Sequence, residues 1–184
     1  MAMAIDRRSS YSRAAITLHW LIALAVIGQF LGIQYAEGLS REDPAMATVY
    51  MIHKSTGLTI LALTLIRLFI RLRRGFIPLP QHMAGWEIVL ARGTHVAFYA
   101  LLLLMPLSGW IFGISADRGL DWYGIFPVPA LPAGGLADAA HQFHELGAWA
   151  LVILFVLHVL GALKHQFLDR DDVLARMLPA ARRR

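Results

Sequence analysis

Residues 141–163 read HQFHELGAWALVILFVLHVLGAL, an apolar run that carries three histidines, of which His144 and His158 stand 14 residues apart. A helix must present about 20 such residues to cross a hydrocarbon core of roughly 30 Å. On that helix the 14-residue step spans about 21 Å, and at about 100° per residue it returns within some 40° of its start. Both rings therefore project from one face at opposite depths. His141, 17 residues from His158, points roughly 100° away by the same geometry and is the poorer partner for it.

Working outward, three more runs of this kind precede it, at about 15–36, 48–70 and 93–115. The chain has 184 residues, 58% hydrophobic and 16% charged, against about a quarter charged in an ordinary soluble domain. A soluble helical bundle would need polar faces that stretches such as Val96 to Leu107 lack. The expectation is an all-α integral membrane four-helix bundle, a single domain over residues 1–184. Arg7, Arg8 and Arg13 precede the first run as they would in a secretory signal, but the run continues past Gly28 and Gly32 to Tyr35, longer than a signal's apolar region. It is expected to stay as a helix.

Charge sets the orientation. Of seventeen Lys and Arg, only Arg41, Lys54 and Arg118 fall in or beside the loops of one side. The other side holds Arg7, Arg8, Arg13, Arg67, Arg71, Arg73, Arg74, Arg92, Lys164 and the tail Arg182–Arg184. The positive-inside rule places that side, with both termini, in the cytoplasm, and the opposite loops of a bacterial inner-membrane protein in the periplasm. Topology and contact with anionic lipid account for these charges, so no nucleic-acid partner is expected. The outer segment after the third run, with Trp122, Tyr123 and Phe126 before Pro127, Pro129 and Pro132, is expected to rest in the interfacial aromatic zone.

Eight histidines and no cysteine are present. Cysteine-ligated clusters and covalent haem attachment are excluded, and any haem is held by side-chain coordination alone. An ionisable side chain inside a bilayer is costly and marks function by default. His82 and His165 fall outside the spans and are expected to be solvated. The first run heads outward, so His19 lies near the inner end; the second heads inward, so His53 lies near the outer end. His19 can face His158, and His53 can face His144, giving two bis-histidine sites for two b-type haems. His95, near the inner end of the third run, competes with His19 and otherwise suits a quinone oxygen or a proton path. Zinc would find too few ligands at either depth.

Each helix-four histidine is followed three residues later by glycine, at Gly147 and Gly161, where a missing side chain leaves room for a flat macrocycle or for a neighbouring helix. The pairs Gly28/Gly32 and Gly109/Gly113 fit the small-residue pattern of close helix approach, and Pro106 should bend its helix and free a carbonyl. Arg67 and Arg71, four apart at the inner end of the second run, share a face and suit the propionates of the inner haem or the lipid headgroups.

Tyr11-Ser12-Arg13 through His19-Trp20, the Ile52-His53 start of the second run, the Arg67 to Arg71 exit and the His144/His158 spacing together resemble the prokaryotic cytochrome b561 family. That family includes membrane cytochrome subunits of nickel-iron hydrogenases and formate dehydrogenases. The resemblance implies a four-helix di-haem cytochrome with ligands His19 and His158 for one haem, His53 and His144 for the other. Its free-standing members imply electron transfer from superoxide at the periplasmic haem to ubiquinone. For such a donor Lys54, beside His53 and one of the few outer cations, is the expected attracting charge, and His95, at the inner end of the bundle, the expected quinone residue. Its subunit members imply instead an anchor and conduit for a dehydrogenase or hydrogenase partner.

Overall fold

The computed structural model describes residues 11–75, 77–80, 82–114, 119–131 and 133–178. Arg7, Arg8, Ser115, Asp117, Arg118, Pro132 and the basic tail Arg182–Arg184 lie outside the described residues. Four long helices dominate: α1 (Arg13–Glu37), α2 (Ala45–Arg74), α3 (Gly85–Gly113) and α4 (Ala137–Lys164). Each is long and apolar enough to cross a membrane, so the four runs become four candidate spans. Every helix exceeds its apolar run at one or both ends. The run marks what must sit in hydrocarbon, whereas hydrogen bonding carries the helix on into the headgroup zone, where the bilayer is some 40 Å thick. The start of α3 shows how: Glu87 Oε2 accepts from Ala84 N at 2.8 Å, satisfying a donor that a helix start leaves free. The Ser12 hydroxyl does the same for Ala15 N at the head of α1.

Consecutive helices pack on one another, α1 on α2, α2 on α3 and α3 on α4. The ring closes through side chains of α1 and α4, with Phe30 against Trp149 at 6.4 Å between ring centres and His19 against His158. The most deeply buried side chains, Ser55 and Thr64, are small and polar, while Leu24, Leu31, Leu72, Val89 and Ile153 face outward. That inversion suits lipid, which rewards close backbone approach rather than apolar burial.

The loop between α3 and α4 is more structured than an interfacial aromatic segment. Leu120–Trp122 (β1) and Phe126–Val128 (β2) pair antiparallel, with Trp122 opposite Phe126. Tyr123 (φ 50°) and Gly124 (φ 73°) make the turn in the left-handed region, which costs the tyrosine about 1–2 kcal/mol. Bonds to α2 offset that cost. Tyr123 N donates to Ser55 Oγ at 3.0 Å, Tyr123 OH pairs with Thr56 Oγ1 at 2.8 Å, and Trp122 Nε1 donates to Thr59 Oγ1 at 3.2 Å. Beneath the hairpin Ile114, Leu120 and Val128 form an apolar cluster with Met51, Leu58 and Trp110.

The chain after α4 also departs from expectation. Instead of running into solvent it makes a π-helical turn, His165–Asp169, and returns across the same end of the bundle. Arg176 Nη1 reaches Pro78 O at 3.1 Å, and Met177 O accepts from Trp20 Nε1 at 2.8 Å. His165, expected in solvent, is only 13% exposed, because the returning segment covers it.

Replacing Ser55 with Ala leaves the Tyr123 amide without its partner, at a cost of about 1–3 kcal/mol. Hydrogen exchange of the amides of residues 120–128 should accelerate accordingly, with α4 amides unchanged.

Candidate functional site: two histidine pairs between helices

The bundle brings five histidines inward in two groups. At one end His53 on α2 faces His144 on α4, with ring centres 6.1 Å apart and planes at 70°. At the other end His19 on α1 faces His158 on α4, at 6.1 Å and 64°. His95 on α3 also approaches His158, at 5.7 Å between ring centres, and Phe98 lies edge-on to it at 5.5 Å. His141 is not in either group. Its ring packs on Phe112 at 4.7 Å, pairs with Glu145 at 3.5 Å and is largely exposed.

Around His144 the local chemistry fixes the ring. Its Nδ1 lies 2.9 Å from Met105 O and 3.1 Å from Ser108 Oγ, and the Ser108 hydroxyl itself donates to Met105 O at 2.8 Å. A carbonyl only accepts, so the proton sits on Nδ1 and the lone pair is left on Nε2. This is the tautomer-setting bond that metal-ligating histidines receive. Gly109 makes the approach possible: a Cβ there would stand 3.0 Å from His144 Cε1. Sequence reading took Gly109 for helix packing and Pro106 for a freed carbonyl. The carbonyl in use is that of Met105, beside the proline.

His53 shows the complementary condition. Its Nδ1 is buried with no hydrogen-bond partner, and its own carbonyl accepts from Gln29 Nε2 at 2.8 Å. Gln29 is a residue that sequence reading missed, although an amide inside the first apolar run was a signal of its own. A cavity of about 130 Å³ beside His53 is lined by Gly28, Gln29, Gly32, Val49 and Ile52. Gly28 and Gly32 thus open space rather than draw two helices together.

The remaining candidates sort by place. Gly161, one turn beyond His158, has nothing within 4 Å of where a Cβ would stand, whereas at Gly147 that space is taken by the Met105 side chain. Arg67 Nη1 donates to Ala15 O on α1, one turn before His19, and Arg71 lies over the Tyr11 ring at 5.9 Å. Lys54, half-buried beside His53, extends its side chain toward Gly113 at the end of α3.

The family description "Prokaryotic cytochrome b561" matches residues 10–180. The chain belongs to this family. It is 35% identical over 173 residues to "Cytochrome b561 homolog 2" of Escherichia coli strain K12, covering 91% of this chain and 90% of that protein. To "Probable superoxide oxidase CybB" of Yersinia pestis it is 33% identical over 176 residues, covering 94% and 97%. "Probable Ni/Fe-hydrogenase B-type cytochrome subunit" of Cupriavidus necator is more distant, 24% identical over 104 residues, 56% of this chain and 42% of that protein. Family membership implies b-type haem. The residues fit it: two imidazoles on opposite sides of a metal, at bonds of about 2 Å, have ring centres roughly 6 Å apart, as both α4 pairs do. Edge-to-face ring packing covers the same range, and family membership favours haem.

Replacing Gly109 with Val should push the His144 ring off Met105 O. The expected result is a shifted visible spectrum of whatever haem His144 holds, with helix content by circular dichroism unchanged.

Proposed function

We propose that this chain holds two b-type haems, one between His53 and His144 and one between His19 and His158, and conducts electrons between a donor at the first end and ubiquinone at the second. The observation that carries this reading is the pair of matching histidine geometries on one helix, both at 6.1 Å, about 21 Å apart along α4 by helical rise. The haems supply one-electron chemistry when bound. The protein supplies position, burial and access. Met105 O and Ser108 hold the His144 ring so that Nε2 faces inward, Gly161 and the Gly28/Gly32 cavity leave room for flat groups, and Arg67 and Arg71 offer positive charge for propionates at the inner end. His95, which also lies beside His158, is the candidate to hydrogen-bond a quinone oxygen or pass it a proton.

The basic residues support placing the His19/His158 end in the cytoplasm and the His53/His144 end in the periplasm, with the chain in a bacterial inner membrane. Superoxide is the donor favoured by the near end-to-end similarity to a protein named as a superoxide oxidase. Two superoxide ions each give up one electron and leave as O₂, and the quinone takes two electrons and two protons to become quinol. Lys54, adjacent to His53, would attract the anion. The second reading, a conduit subunit of a dehydrogenase or hydrogenase complex, rests on relatives of lower identity, 24% over 56% of this chain and 21% over 97% of it.

A pyridine haemochrome assay of the purified protein should give two haems per chain; one or none would sink the assignment. His144→Ala and His158→Ala should each remove predominantly one haem while helix content is retained. Lys54→Glu should slow superoxide-driven quinone reduction, with a loss that shrinks as salt is raised, and His95→Ala should weaken quinone reduction without that salt dependence. Wild-type behaviour in both variants would defeat the assignment of the two ends.

A further inference from the structure

Beyond α4 a short piece of chain folds into a group of metal-ligating side chains. Arg170, in the left-handed region at φ 54°, turns the backbone so that Asp171 N bonds back to His165 O at 3.1 Å. That reversal stacks His165, Asp169 and Asp171 together. His165 Nδ1 is 2.7 Å from Asp171 Oδ2 and 3.1 Å from Asp169 Oδ2. The connection before α3 adds a fourth group, His82, whose Nε2 is 3.3 Å from the same Asp171 oxygen. His82, Asp169 and Asp171 each present a ligand atom within 4.8 Å of the others.

Charge and access point the same way. Lys164 Nζ binds Glu87 at 2.7 Å and both oxygens of Asp169, at 2.9 and 2.7 Å, so its one ammonium is shared by two carboxylates and Asp171 has no lysine or arginine of its own among these contacts. With neutral imidazoles the cluster carries two negative charges in excess. Asp171 and Asp169 are nonetheless drawn in, at 9% and 19% exposed, a placement that is costly unless a cation compensates it. His82, at 55% exposed, leaves one side open to ions from solution.

We propose that His82, His165, Asp169 and Asp171 bind a zinc-class divalent cation that fastens the connection before α3 to the segment after α4. Two imidazole nitrogens and two carboxylate oxygens make the four-ligand shell that zinc takes. With bonds of about 2 Å, a tetrahedral shell sets its ligand atoms roughly 3.3 Å apart; His82, Asp169 and Asp171 present ligand atoms within 4.8 Å of one another, and His165 Nδ1, 2.7 and 3.1 Å from the two aspartates, would close in as the fourth. Magnesium, which demands six oxygens and keeps its water, is poorly matched. Lys164 can hold Asp169 through Oδ1 while Oδ2 turns to the metal. The fastened segment continues through Arg176 on Pro78 O to Met177 on Trp20, next to His19. The cation would therefore steady the cover over the His19/His158 end, whatever that end binds.

The test uses the purified full chain in detergent, with its native haem content, after dialysis against a chelator. One zinc per chain should be retained on re-addition and gel filtration. It should be lost in His82→Ala and in Asp171→Asn, and kept in His141→Ala, which removes the exposed His141–Glu145 pair at the other end. Zinc at a hundred times its Kd should also slow tryptic cleavage after Arg170 and Arg176 by about 100-fold, because only the closed segment binds it; magnesium at the same concentration should not. Absence of retained zinc, zinc that survives His82→Ala, or zinc that leaves cleavage unchanged would each overturn the proposal. Asp171 also accepts from Val173 N at 3.0 Å, so if the Asp171 variant misfolds, His82→Ala, which removes only an exposed ring, decides the case.

Discussion

An imidazole set in hydrocarbon has no water to turn to, so each of its nitrogens must find a partner inside its own bundle. The interior of this chain is arranged around that requirement. His144 gives its proton to Met105 O, and Ser108 both feeds the same carbonyl and faces the ring. Small residues stand where the rings need space. The buried hydroxyls of Ser55 on α2 and Ser108 on α3 face inward, where each finds a partner.

The same constraint works at the two ends of the bundle in different ways. At the His53/His144 end the hairpin brings its own donors, the Tyr123 amide and the Trp122 indole, to hydroxyls on α2, so a loop becomes a fitted cover. At the His19/His158 end carboxylates, lysine and histidine tie the loop before α3 to the segment after α4. One cover is held by neutral hydrogen bonds and the other by charge. Salt and metal ions are therefore expected to act on the second and leave the first alone.

Much of the fold was legible because apolar length and histidine phase are properties of single helices. Four runs foretold four candidate spans, and the 14-residue step on α4 foretold two rings at different depths. What was not legible depended on which helix stands beside which. Nothing local in Gly109 says that His144 will press against it, and Gln29 gives no sign in sequence that it will cap the His53 carbonyl. Depth ranks His95 behind His19 because it sits shallower than His158, yet the structure sets both rings beside His158. The hairpin escaped notice because its strands are three residues each and its turn places a tyrosine in a left-handed conformation that sequence pattern argues against. His165 looked solvated because a basic helix end gives no hint that the chain turns back over it.

α4 supplies one ring to each facing pair, and it is the last of the four helices to leave the ribosome. Three helices inserted in the membrane would hold His19, His53 and His95, yet none of these would have its partner. Assembly is therefore gated by the arrival of one rod: its register and rotation complete both ends of the bundle together, and a slip of a single residue would turn both rings away by about 100° at once. A partly made chain cannot present half of a finished interior.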